Sequence, residues 1–173
     1  SAMKKKIIIV HILLIILLLI NIVPYKRVDA KSVDYVVKYS RKIYYGTNSK
    51  LKSFKVNQIK GSYKEYWDKK VLYKVITYPD SMNDVNIKNY TVEYYYDKNQ
   101  KLVFAFAYRK VKGKLKEYRA YYGTDGKLYR YIGANGKIKD YKKGQKIRYI
   151  HSLRYEMYRK GTYYLHLCEE GFK

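Results

Sequence analysis

The chain has 173 residues, enough for one domain behind a leader and too few for a multidomain assembly. Lysine and arginine number 38 against 14 acids, a net charge of +24 that favours polyanionic partners, while the single cysteine, Cys168, excludes any intramolecular disulfide. Lysine and the 25 tyrosines are also what an A/T-rich genome supplies cheaply, but that bias does not account for so few acids.

Ser1-Ala2-Met3 reads as a cloning scar with the native start at Met3. Lys4, Lys5 and Lys6 then precede an apolar run from Ile7 to Val23 and a polar stretch ending in Val28-Asp29-Ala30. That order of basic, apolar and small-residue segments is a secretory leader cleaved after Ala30. An uncleaved anchor is the alternative, with residues 7–23 at the short limit for a spanning helix and His11 and Asn21 within them. Both readings leave the lysines inside and carry the remainder across the membrane. Residues 1–30 are thus scar plus leader or anchor, and 31–173 one extracytoplasmic domain.

Between Ser32 and Tyr45 the residues Val33, Val36, Val37, Ser40, Ile43 and Tyr44 recur at three and four, the stripe of an amphipathic helix, with Lys38, Arg41 and Lys42 facing water. Gly46 is expected to stop it in a left-handed cap. Phe54 and Val56, then Val71, Tyr73, Val75 and Thr77, alternate with polar positions as strands do, and Gly61-Ser62 marks a break. Pro79 to Asn89 is a loop of turn formers; Asp80, Asn83, Asp84 and Asn86 offer oxygens but lack the glycine and terminal glutamate of a calcium loop.

From there Gln100-Lys101-Leu102, Gly113-Lys114-Leu115, Gly126-Lys127-Leu128 and Gly136-Lys137-Ile138 punctuate the chain at intervals of 13, 13 and 10. A glycine supplies the positive backbone angle of a tight turn, the lysine keeps it solvated and the aliphatic residue restarts a buried face, so the repeat predicts an antiparallel meander. In the longest strand Leu102, Phe104, Phe106 and Tyr108 share one side and read as core. Val103, Ala105, Ala107 and Arg109 share the other, which either lies beneath a helix or forms a shallow floor edged by Arg109, Arg119 and Tyr121. Ile147, Ile150, Leu153 and Met157 predict a closing helix that Gly161 terminates, followed by Thr162 to Glu170 as a strand or packed tail. The fold class is α+β: an N-terminal amphipathic helix, a meander of about five to seven strands, and a C-terminal helix packed on the sheet.

Chemistry-bearing groups are sparse. His166 and Cys168 would share one side of a strand without a third ligand, and Cys168 amid Tyr163, Leu165 and Leu167 suits burial. No spacing enforces a facing glutamate pair, and Glu117 is expected to pair with Arg119 or Arg130. No catalytic residue, metal or cofactor follows from the sequence. What remains is recognition: tyrosine offers apolar area with a hydrogen-bonding tip, and arginine or lysine pairs with anions. Arg109, Lys112, Arg119, Tyr121, Tyr129, Arg130 and Tyr131 are the candidate ligand-binding residues, although Tyr129 and Tyr131 alternate with Arg130 and cannot share one face with it.

The stretch EYRAYYGTDGKLYRYIGANGKIKDY, Glu117 to Tyr141, followed by SLRYEMY, Ser152 to Tyr158, resembles uncharacterised secreted or membrane-tethered domains of low-GC Gram-positive bacteria. Those domains join a hydrophobic leader to a tyrosine-rich meander and a closing helix. The likeness covers about Tyr90 to Tyr158 and implies no activity. The expected function is a noncatalytic secreted or cell-envelope binding module for an anionic cell-wall polymer, another polyanion or an envelope protein. A membrane-anchored structural subunit is the alternative, and an extracellular hydrolase ranks third.

Overall fold

The computed structural model describes residues 32–79, 87–148 and 152–170, with side chains to 167. The scar and leader, the calcium-like loop at 80–86, Ile150 and the Cys168 side chain lie outside the described residues. Helix α1 (Val33–Ser49) starts where the Ser32 hydroxyl accepts the Tyr35 N–H at 3.2 Å, satisfying one of the unpaired donors of the first turn. Val36, Val37 and Ser40 of its stripe are buried, as their spacing predicts.

Gly46 does not end this helix. It takes no positive φ, and the helix runs on to Ser49 with Thr47 buried. The extra turn is held from outside, because Lys74 donates to Asn48 Oδ1 at 3.0 Å and Asn48 Nδ2 donates to the Tyr95 hydroxyl at 3.1 Å. Tertiary contact here outweighs the roughly 1 kcal/mol that a glycine costs a helix interior.

After a single 3₁₀ turn (Leu51–Ser53) come β1 (Lys55–Ile59), β2 (Tyr63–Asp68), β3 (Val71–Thr77), β4 (Thr91–Tyr96), β5 (Leu102–Val111), β6 (Lys114–Tyr122), β7 (Leu128–Ile132) and β8 (Ile138–Gln145), then α2 (Leu153–Glu170). The eight strands form one antiparallel sheet in strict chain order, more than the five to seven expected. Strands β2, β4 and β8 have no counterpart among the strands singled out from the sequence; β2 and β8 carry charge through their length, which hides their alternation.

The turns follow the repeat. Gly123 N–H donates to Lys127 O and Gly126 N–H to Gly123 O; Gly133, Lys137 and Gly136 reproduce both bonds, and Asp97, Lys101 and Gln100 do so a third time. Gln100, Gly126 and Gly136 all have positive φ, while Asp97, Asp125 and Asn135 each accept a backbone N–H inside their turn. At the β5–β6 turn Lys112 and Gly113 are both left-handed, at 49° and 75°, which suits a two-residue hairpin loop.

A helix packs on each face of the sheet. Ala105, Ala107, Ala120, Tyr94 and Tyr122 cluster with Met157, Tyr164 and Leu165 of α2. Tyr95, Phe104, Tyr121 and Tyr129 cluster with Val36 and Val37 of α1. The small side of β5 therefore lies beneath a helix, and so does its large side. The simple alternation fails at its start: Tyr95 pairs with Phe104 but Tyr96 with Leu102, so Val103 is skipped. This bulge sends Leu102 to the α2 face and Val103 to the α1 face, where buried Ser40 donates to the Val103 carbonyl at 2.8 Å.

Gly161, expected to end α2, sits within it. A Cβ there would come within 2.7 Å of Leu102 and 2.8 Å of Tyr94, so the glycine serves close helix-on-sheet packing. Ile147 packs against the same core but precedes the helix. Thr162 to Glu170 is neither strand nor tail but the last half of α2, and the positions of His166 and Cys168, two apart on a helix, no longer share a side.

Candidate functional site

α1 covers one part of its sheet face and leaves a cleft of about 490 Å³ beside it. The helix wall is Arg41, Tyr44 and Tyr45; the floor is Phe104, Phe106 and Tyr121; Glu117 and Arg119 on β6 form the far rim. Register explains the floor and rim. Phe104 is opposite Tyr121 and Phe106 opposite Arg119, so β5 contributes rings and β6 delivers the cation beside them.

The rings are inclined to one another. Phe104 and Tyr121 lie 4.9 Å apart at 46°, and Tyr44 meets Phe104 edge-on at 5.6 Å and 84°. The Arg119 guanidinium lies 5.5 Å from the Phe106 ring centre and donates to Glu117 at 3.1 Å. Burial and then the Glu93 charge raise the Tyr44 hydroxyl above the ordinary phenol range, which keeps it a neutral donor in the cleft.

Behind Tyr44 stands a buried polar cluster. Lys74 pairs with Glu93 at 2.7 Å, Tyr95 donates to the same carboxylate, and Asn48 of α1 bonds both Lys74 and Tyr95. Burial lowers the Lys74 ammonium against the opposing pull of Glu93, and burial pushes the Tyr95 phenol well up. The Tyr44 ring packs against Tyr95 at 5.0 Å, tilted by 55°, so the cluster fixes the helix wall of the cleft.

Of the seven residues singled out from the sequence, the fold brings Arg119 and Tyr121 into this cleft. Tyr121 is largely buried, and Tyr129 is buried with its hydroxyl donating to Asp125 at 2.9 Å. Arg130 is forked onto Asp140 at 2.6 and 2.7 Å, while Glu117 takes Arg119 as its partner. Arg109 and Tyr131 belong to the opposite face: the first lies 4.5 Å over Tyr90, the second beneath Arg154 at 5.6 Å. The floor edged jointly by Arg109, Arg119 and Tyr121 therefore does not form, and Lys112 occupies the hairpin turn.

No protein-family model, no curated protein and no solved structure matches this chain. The residues that sequence reasoning missed are Arg41, Tyr44, Tyr45 and Phe106. Arg41 and Tyr44 are three apart, on one side of α1, and that spacing was the available signal. Among the described residues no three or more histidines, cysteines or acids gather as a metal site would require, and no helix is long and apolar enough to cross a membrane.

Proposed function

We propose that the protein is a noncatalytic binding module of the cell exterior that holds an anionic polymer, with the cleft beside α1 as the point of capture. The observation that carries this reading is the pairing of two guanidiniums, Arg41 and Arg119, on opposite rims of an aromatic floor. Arginine supplies fixed, weakly hydrated donors for carboxylate or phosphate, and the rings take the apolar parts of the ligand.

The distribution of acids supports it. Glu93, Glu117, Asp140 and Glu156 each pair with one lysine or arginine within the fold and Asp97 and Asp125 accept from tyrosine hydroxyls, while bases outnumber acids 38 to 14 over the whole chain. The lysine-fronted apolar leader supports placement outside the cytoplasm. The test is retention of the full chain on heparin and on immobilised teichoic acid. Elution should come earlier, and steeply so, as salt is raised; retention indifferent to salt rejects the proposal.

A further inference from the structure

We infer that the cleft between α1 and strands β5 and β6 is a saccharide site that takes a sugar ring bearing a carboxylate, the acidic sugar of a polymer, in preference to a nucleic acid. This rests on the binding-module reading above and names the ligand class for the same cleft. Three features select it.

The first is the mixture of charges. Arg41 and Arg119 call for an anion, but Glu117 stands on the same rim. A nucleic-acid strand, whose sugar–phosphate backbone is uniformly charged and offers few hydroxyl donors, has nothing to give Glu117 and is repelled there. An acidic sugar satisfies both: its carboxylate meets the guanidiniums and its hydroxyls donate to Glu117.

The second is the form of the aromatic surface. Floor rings inclined at 46° and a wall ring near 84° do not make the parallel slot that grips a flat base. They suit a puckered ring whose C–H bonds, slightly positive, point at several π faces. The phenols of Tyr44, Tyr45 and Tyr121 add groups that both donate and accept, matching a polyol. At about 490 Å³ the space falls within the ~300–1,000 Å³ usual for small-ligand sites.

The third is the Glu117–Arg119 pair. Both side chains are more than a third exposed, 41% for Arg119 and 37% for Glu117, so the pair does little for stability. Its effect is to hold the guanidinium over Phe106 with only one of its N–H groups engaged by Glu117. The donor array is oriented before the ligand arrives, which lowers the ordering cost of binding.

The test is calorimetric titration of the full chain, kept in a polyoxyethylene detergent, with a tetragalacturonate, with neutral maltotetraose and with an oligothymidylate matched in charge. Tetragalacturonate should bind at least about tenfold more tightly than either of the others. Arg41→Gln and Arg119→Gln, each checked for unchanged thermal unfolding, should weaken it by about tenfold or more, the usual loss of a charged hydrogen-bonding partner. A Lys142→Gln/Lys143→Gln variant, altering two exposed cations on β8, should shift it by less than about twofold. Equal binding of oligothymidylate or maltotetraose overturns the acidic-sugar assignment. If the arginine variants bind like wild type while the β8 variant loses affinity, the cleft is not the site, and salt-sensitive heparin retention would then still uphold the broader polyanion reading.

Discussion

The Tyr96 hydroxyl donates at 2.8 Å to the carbonyl of Gly161, 65 residues later, joining the middle of the sheet to the middle of α2. The bond forms because α2 comes down closely at a residue without a side chain. Gly161→Ala would drive a Cβ into Leu102 and Tyr94, and should cost about 1–3 kcal/mol as overpacking does. Gly46→Ala makes the opposite case: it lies in α1 with nothing within 4 Å, and should stabilise by up to about 1 kcal/mol. Urea midpoints of the two variants should move in opposite directions.

Lys74→Met leaves the Glu93 carboxylate largely buried without its cation and removes a donor from Asn48. The expected loss is about 3–5 kcal/mol, with α1 loosened at its last turn. A Lys74→Met/Glu93→Leu double variant should recover most of it, since an apolar pair incurs no desolvation of charge. Denaturant titration of both variants measures the difference, and a double variant no better than the single would contradict the account.

High pH should unfold the protein abruptly. Burial, aided by Asp97 for Tyr39 and by Tyr118 for Tyr90 and Tyr131, pushes these three phenols up to about 12. Tyr94 and Tyr122 are driven up further by complete burial. A folded pKa above the unfolded value of about 10 means that the stabilisation is whole below pH 10 and is lost as pH climbs towards 12. Tyrosinate absorbance at 295 nm should therefore rise together with loss of ellipticity in that window. A gradual rise with ellipticity intact would show that these phenols ionise in place.

Arg130 and Asp140 tie β7 to the border strand β8 through a two-pronged pair. The pair holds Asp140 below the ordinary carboxylate range, so its stabilisation is present at neutral pH and fades as pH falls through that range. Asp140 is 39% exposed, which limits the cost of Asp140→Asn to below about 1 kcal/mol. Faster amide exchange confined to β8, with β5 unchanged, is the expected result.

These relationships differ in how far they could be seen in the chain. Each turn is encoded within about five residues, so Asp125-Gly126 and Asn135-Gly136 were readable without any partner. The skipped residue Val103 was not, because its carbonyl finds Ser40 only when α1 docks. Gly161 was misread for a related reason: a glycine that stops a helix and one that admits a neighbour have the same letter, and only Leu102 and Tyr94 distinguish them. Arg119 is legible as a cation on a strand, yet its opposite number Arg41 lies far upstream on another element, where its spacing from Tyr44 marks a shared helix side but not the strand that side faces.

Because each strand bonds only to its predecessor and successor, the sheet contains no threaded connection. The chain can close by successive zipping of neighbours, every connection but that between β3 and β4 being short, which favours quick assembly for so many strands. Such a ribbon can also gain or shed a hairpin at either margin without rerouting its middle. The rings and guanidinium carried by β5 and β6 lie well inside those margins, so the length of the ribbon and the shape of the pocket are free to vary separately.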